Sequence, residues 1–220
     1  MKVLCISDDV DPLIYSSGIQ ERFRHIDIIL SAGDLYFNYY NYIVSMLNKP
    51  LYFVFGNHNL KQLHHYRKSI EYASPSPAYE HYRPAGGGTY VGGKVLYLKK
   101  HKLIIGGLGG CRRYSNGPNQ FTELQMFGKI LTLIPHMIWN RIIHGRYIDI
   151  LITHAAPLGI GDRQDLCHKG FKVFLWFMKA FKPRYLLHGH IHLYDINLPR
   201  ASQYGETQVI NVYSRYELEL

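Results

Sequence analysis

The sequence predicts an α/β fold with a largely buried sheet and packed helices, in a single domain over residues 1–220. Three observations lead there. Short apolar runs alternate with longer amphipathic stretches, as strands and helices do in a layered α/β domain. The runs are too continuous for strands with one wetted face. A composition of 47% hydrophobic and 19% charged residues over 220 positions suits one folded unit with a sizeable core.

In chain order, the strand-like runs are Val3–Ser7, Ile26–Ala32, Leu51–Phe55, Val95–Leu98, Leu103–Leu108, Ile148–Thr153, Tyr185–Leu187 and Gln208–Tyr213. Tyr15–His25 and Tyr39–Asn48 read as helices between the early strands. Ser74–Gly93, rich in proline, glycine and tyrosine, reads as a long surface loop. Two further helices are unusually apolar. Phe121–Arg146 carries a wide stripe that includes Met126, Ile130, Met137, Trp139 and Ile142, interrupted by Pro135. Phe171–Phe181 adds Phe174, Leu175, Trp176, Phe177 and Met178. A wide stripe ordinarily faces a core. The alternative is an exposed apolar surface, rimmed by Lys129, Arg141, Arg146, Lys172 and Lys179, for self-association, a lipid-like substrate or a membrane surface.

Several function classes fall away. No apolar run reaches bilayer-spanning length, and Asp8-Asp9 follows too soon after Met1 for a signal peptide. Cys5, Cys111 and Cys167 are far apart and form no C-x-x-C pair, which argues against a disulfide framework or a thiolate zinc site. The expected location is the reducing cytoplasm. A net charge of +9 favours anionic partners, whether small phosphorylated molecules, nucleic acid or an acidic membrane face, without choosing among them. The basic residues are scattered without an aromatic–basic pattern, so there is no strong nucleic-acid signal.

Five strand ends finish in groups that bind metals: Asp8, Gly33-Asp34, Gly56-Asn57-His58-Asn59, His154 and His188-Gly189-His190-Ile191-His192. In an open α/β sheet, ligand sites gather beyond the carboxyl ends of the strands. Parallel neighbours would therefore bring these turns together. Carboxylate, amide and imidazole donors suit Mn²⁺, Fe or Zn²⁺ better than Ca²⁺ or copper. Each turn alone is a weak signal, since Asn57 could simply cap a helix and a strand-end histidine is commonly structural.

Together, in this order, the turns resemble the calcineurin-like metallophosphoesterase family, whose motifs run D-x-H, G-D, G-N-H-D/E, a later H, and G-H-x-H. The resemblance spans residues 8 to 192. It implies a two-sheet α/β sandwich flanked by helices and hydrolysis of phosphodiester, phosphomonoester or pyrophosphate bonds. It implies two divalent metal ions, bridged by Asp34. Asn57, His154 and His190 would complete one ion, and Asp8 and His192 would serve the other. A hydroxide between the ions would attack phosphorus, and His58 would protonate the leaving group or stabilise its charge.

Two positions depart from the family pattern. Val10 stands where the first motif has histidine, which leaves the Asp8/His192 metal short of a nitrogen ligand. Asp9 or Asp11 could supply an oxygen there, or water could fill the position. An oxygen replacement would tilt preference towards Mn²⁺ or Mg²⁺. Asn59 stands where the family has an acid, so it can orient His58 but not charge it. Arg112 and Arg113, after the glycine-rich Gly106–Gly110, are candidates to hold an anionic substrate; the alternative is close strand packing with ordinary surface arginines. Gly161-Asp162-Arg163 and His168-Lys169-Gly170 also match stretches seen in branches of the family. The expectation is thus a metal-dependent phosphoesterase, with Mn²⁺ the leading metal and a small phosphorylated substrate. The rivals are a catalytically weakened metal- or phosphate-binding module and a membrane-face hydrolase of a lipid phosphate or pyrophosphate.

Overall fold

Along the first strand, Val3 and Cys5 pack into one apolar cluster while Leu4 and Ile6 pack into another. That period-2 division recurs in every central strand and sets the layers of the molecule. The computed structural model describes residues 1–66, 87–194 and 199–220. The early elements are β1 (Lys2–Ser7), α1 (Ile19–Phe23), β2 (Ile28–Ser31), α2 (Phe37–Leu47), β3 (Leu51–Phe53), α3 (Leu63–Tyr66) and β4 (Gly88–Tyr90). There follow β5 (Val95–Leu98), β6 (Leu103–Leu108), β7 (Cys111–Arg112), β8 (Gln120–Phe121) and α4 (Glu123–His144). The chain closes with β9 (Ile150–Thr153), α5 (Lys172–Phe181), β10 (Tyr185–His188), β11 (Ala201–Tyr204), β12 (Thr207–Asn211) and β13 (Ser214–Glu219).

One sheet has the order β13-β1-β2-β3-β4 and the other β11-β12-β10-β9-β6-β5. The central pairs of both are parallel, with antiparallel edges at β13, β11 and β5. Val3, Cys5, Ile28, Leu30, Ile105, Ile150, Ile152 and Leu187 form the cluster shared by the two sheets. The opposite face of the first sheet packs Leu4, Ile6 and Ile29 under α1 and α2, and that of the second packs Ile104, Leu151 and Leu186 under α4 and α5. The architecture is a two-sheet α/β sandwich flanked by helices, as expected.

Several boundaries differ from the sequence reading for local reasons. The stretch read as the helix Tyr15–His25 shortens to α1, because Asp11 organises the turns before it: its Oδ1 accepts from Leu13 N (2.8 Å) and its carbonyl from Tyr15 N (2.9 Å). Of the loop expected at Ser74–Gly93, the part up to residue 86 lies outside the described residues, and Gly88–Tyr90 is a strand pairing with β3. Pro135 does not interrupt α4, which runs from a Thr122–Gln125 capping box to Gly145 at φ 74°. The apolar residues of these helices divide between two faces. Met126, Ile130, Leu133, Met137, Phe174 and Phe177 are core, while Leu131, Ile138, Trp139 and Ile142 are exposed.

This division of faces has a measurable consequence. Phe177→Ala, which empties a fully buried site, should lower unfolding free energy by about 3–5 kcal/mol. Leu131→Ala on the outer face should change it by no more than about 0.5 kcal/mol. Urea denaturation of both variants checks this, and equal losses would contradict the assignment.

Candidate metal centre

The carboxyl ends of β1, β2 and β3 in one sheet meet those of β9 and β10 in the other. Bonds between the sheets fix the meeting: His190 N donates to Asp8 Oδ2 (2.9 Å), and His154 Nδ1 donates to the Ala32 carbonyl (2.8 Å). The backbone turns sharply there, with Asp8, Asp34 and His190 at φ 64°, 59° and 66°. Left-handed conformations are costly for side-chain-bearing residues and gather at functional sites. Two glycines make room. A Cβ on Gly56 would lie 2.1 Å from Asp34 Oδ1, and one on Gly189 would lie 2.3 Å from Asp8 Oδ2.

Asp34, His154 and His190 each present a donor atom, all within 4.8 Å of one another. His154 Nε2 lies 3.2 Å from Asp34 Oδ2 and 3.0 Å from Asn57 Oδ1. Because His154 Nδ1 carries the hydrogen given to Ala32, a neutral ring would point a lone pair from Nε2 at two oxygen acceptors. A proton or a metal cation between them relieves that conflict. Without metal, a proton does so. Burial alone would lower the His154 pKa, but the Asp34 charge and hydrogen bond raise it to about 9. Burial works to raise Asp34, yet His154 and the His58 N–H (2.8 Å) hold its carboxyl below the ordinary range. His190 is driven down to about 3 by burial and then by the charge of His154. Its Nε2 donates to the Cys167 carbonyl (2.7 Å), which leaves Nδ1 as the ring atom available to a cation. This donor set fits a divalent cation.

The Asp8 side is looser. Asp8 Oδ1 stands 4.0 Å from His192 Nε2, and burial holds the Asp8 carboxyl above its ordinary pKa despite the opposing charge of His154. Val10 turns towards the core beneath α1 and α2. Of the two candidate oxygen donors, Asp11 is occupied: its Oδ2 accepts from Ser214 Oγ (3.3 Å) and pairs with Arg215 Nε (3.4 Å). Asp9 is exposed, and its Oδ1 accepts from the Val10 N–H (2.9 Å). Two tyrosines that the sequence reading did not single out flank His192, the Tyr213 ring at 4.9 Å and the Tyr194 ring at 6.0 Å.

The remaining candidates are placed less uniformly. His58 is exposed beside Asp34. Asn59 Nδ2 donates to the Asp34 carbonyl (3.0 Å), so its side chain braces the Asp34 turn. Arg112 donates to the Gly170 carbonyl (3.3 Å) and lies 3.9 Å from Glu123. Arg113 donates to Gln125 Oε1 (3.1 Å) at the start of α4. Their described bonds are structural, and none reaches the donor cluster. Gly107 and Gly109 pack against Val54 and Phe55, the close-packing alternative for this stretch. Tyr114 was missed by sequence reasoning; its hydroxyl accepts from Asn57 Nδ2 (3.4 Å). A second ligand group stands on the rim, where Asp165 Oδ1 lies 2.8 Å from His168 Nδ1 and 3.0 Å from Cys167 Sγ. The His168 ring is 5.2 Å from that of His190.

Comparison with solved structures returns the same sandwich. One crystal structure aligns at a TM-score of 0.60 with 14% identity, covering 97% of this chain and 90% of its own. Another, TT1561 of Thermus thermophilus, aligns at 0.59 with 13% identity, covering 97% and 89%. At such identities these likenesses speak to fold alone. Comparison with the curated proteins gave no match. The sequence model named calcineurin-like phosphoesterase matches residues 1–194. That span holds every donor of the centre, and the chain belongs to the calcineurin-like phosphoesterase family.

Proposed function

We propose that the protein hydrolyses a phosphodiester or phosphomonoester of a small phosphorylated molecule, using two divalent cations held between the sheets. The observation that carries this reading is the buried cluster of Asp34, Asn57, His154 and His190, whose oxygen and nitrogen donors converge where a cation would sit. Asp34 would serve both ions, with Asn57, His154 and His190 holding one and Asp8 and His192 holding the other. When bound, the ions would neutralise phosphoryl charge and make water nucleophilic near neutral pH. Oxygen and nitrogen donors suit Mn²⁺ first, then Fe, Zn²⁺ or Mg²⁺.

The chain's own residues do the positioning. The Ala32 carbonyl fixes the His154 ring, the Cys167 carbonyl fixes His190, and Tyr114 steadies Asn57. Exposed His58, at the edge of the cluster, can give a proton to the departing oxygen. Three free cysteines suit a reducing cytoplasm. One observation favours a second reading. Val10 supplies no ligand and Asp11 is held by Arg215, which fits a protein that fills one metal position and turns over slowly.

Hydrolysis of an aryl phosphodiester after chelation and Mn²⁺ addition separates the readings. Two ions per chain with turnover supports the enzyme, whereas one ion without turnover supports the weakened module. Asp34→Ala should lower kcat/KM by more than the roughly 100-fold that outer-shell partners cost. Normal hydrolysis by that variant would refute the bridging role.

Metal-stripped protein should also show a defined pH profile. His188 and His190 have folded pKa values of about 4 and about 3, below the ordinary 6.5. The unfolded chain therefore binds protons that the native state refuses, and stability falls as pH drops from 6.5 towards 3. His154, raised to about 9, acts oppositely: its contribution is complete below 6.5 and is lost as pH rises through 9. Thermal melts of stripped protein should peak near pH 6.5, and added Mn²⁺ should restore the alkaline side by replacing the His154 proton. An unchanged alkaline limb with Mn²⁺ would count against metal binding at His154.

A further inference from the structure

Helix α4 has two apolar faces, and the fold uses only one. Met126, Ile130, Leu133 and Met137 pack into the core. Leu124, Leu131, Ile138 and Ile142, at helical spacings of seven, seven and four, line the opposite side. Trp139 stands beside them. Leu124 is 78% exposed, Trp139 64% and Ile142 69%. At its N-terminal end the stripe opens onto a cavity of about 680 Å³ between α4 and α5, walled by Leu124, Phe127, Leu175, Trp176 and Tyr204. Lys172 and Lys179 stand at its edge.

The charges around this surface have one sign. Across α4 and α5 there are Lys129, Arg141, Lys172 and Lys179 against the single acid Glu123. Glu123 is committed, since its Oε1 accepts from Val173 N (2.5 Å) and its other oxygen lies 3.9 Å from Arg112. The nearby Glu206 is paired with Lys182. Twofold pairing of α4 with a second copy would set basic rims against each other, with no free acid on either helix to offset them. An anionic occupant has no such conflict. Among the described residues no helix is long and apolar enough to cross a membrane, so the surface suits an interfacial role.

We propose that the outer face of α4, with the α4–α5 cavity, docks the protein on an anionic phospholipid surface. The stripe enters the acyl boundary, the cavity accepts an acyl chain, and Lys172 and Lys179 meet the headgroups. Tryptophan belongs at such a boundary, where one side of the ring system is apolar and the other wet.

The test uses the full chain and its own fluorescence, because its two tryptophans, Trp139 and Trp176, both lie on this surface. Vesicles of equal parts phosphatidylcholine and phosphatidylglycerol should sediment the protein and shift its emission to the blue. Pure phosphatidylcholine vesicles should do neither. Lys172→Gln and Lys179→Gln should each weaken partitioning about five-fold. Ile138→Ser with Ile142→Ser should abolish the shift from Trp139 while leaving the melting temperature in place. Failure to sediment with anionic vesicles overturns the proposal. So does a stable dimer, seen by light scattering, that shields both tryptophans, or binding to an acidic protein but not to vesicles. The readout is binding, so it stands apart from whether the metal centre hydrolyses phosphate esters.

Discussion

His154 joins the two sheets through a single ring. One nitrogen donates to Ala32 at the end of the first sheet, and the other faces Asp34 and Asn57. The ring is fully buried, so water cannot settle the account between its lone pair and those oxygens. A positive charge is favoured there, and the Asp34 carboxylate raises the His154 pKa to about 9 against the effect of burial. That preference draws the rest of the centre with it. His190 is kept neutral by burial and by the charge at His154, and Asp34 is kept ionised by the same charge. The surrounding backbone accepts left-handed turns at three donors because two packed sheets hold those turns in place.

The contrast between the two halves of the centre follows from what each donor packs against. The His154 half is closed by bonds between sheets. The Asp8 half borders the turn that leads into α1, where apolar burial governs: Val10 packs against the cluster that holds Ile14, Ile19 and Tyr39. A histidine at position 10 would give a ligand but remove an apolar contact from that cluster. Asp11 cannot move across to compensate without breaking its pairing with Arg215 and uncapping the following turn. What remains near this side is the exposed Asp9 carboxylate and two aromatic rings beside the half-exposed His192, while the Asp8 carboxyl itself is buried.

How much was legible follows the same line. The central strands and the five donor turns could be read because each is local: an apolar run, then a turn residue beside a carboxylate, amide or imidazole. The two-sheet arrangement came from the family resemblance, since parallel order leaves no mark on a single strand. β13 went unread because its outward charges, Arg215, Glu217 and Glu219, mask an edge strand. With β13 unread, the commitment of Asp11 was unreadable too, because Ser214 and Arg215 lie some 200 residues away in sequence and reach Asp11 only through the β1–β13 pairing. Tyr114, Tyr213 and the carbonyls of Ala32 and Cys167 act through tertiary proximity, and no spacing along the chain announces them. Arg112 and Arg113 looked like anion ligands because a glycine-rich turn beside arginines often is one, but Gly170 and Gln125 hold them.

The outer stripe of α4 has to be weighed by the same physics that explains the inner one. Burying an apolar side chain contributes about 1.5–3 kcal/mol, and the inner face already supplies that for Met126, Ile130, Leu133 and Met137. Leu124, Leu131, Ile138, Trp139 and Ile142 are 46–78% exposed and contribute much less burial to this fold, so stability of the single chain accounts for them only in part. Scattered exposed leucines need no explanation, but a row at helical spacing, ending at an apolar cavity, is a surface with a direction. Glu123 ties that surface to the centre: it begins α4, holds the first turn of α5 through Val173 N, and neighbours Arg112, which bonds Gly170. Gly170 is in turn bonded to Asp162 in the loop that carries Cys167, the residue whose carbonyl orients His190. A continuous run of contacts therefore joins the two helix starts to the loop that orients His190.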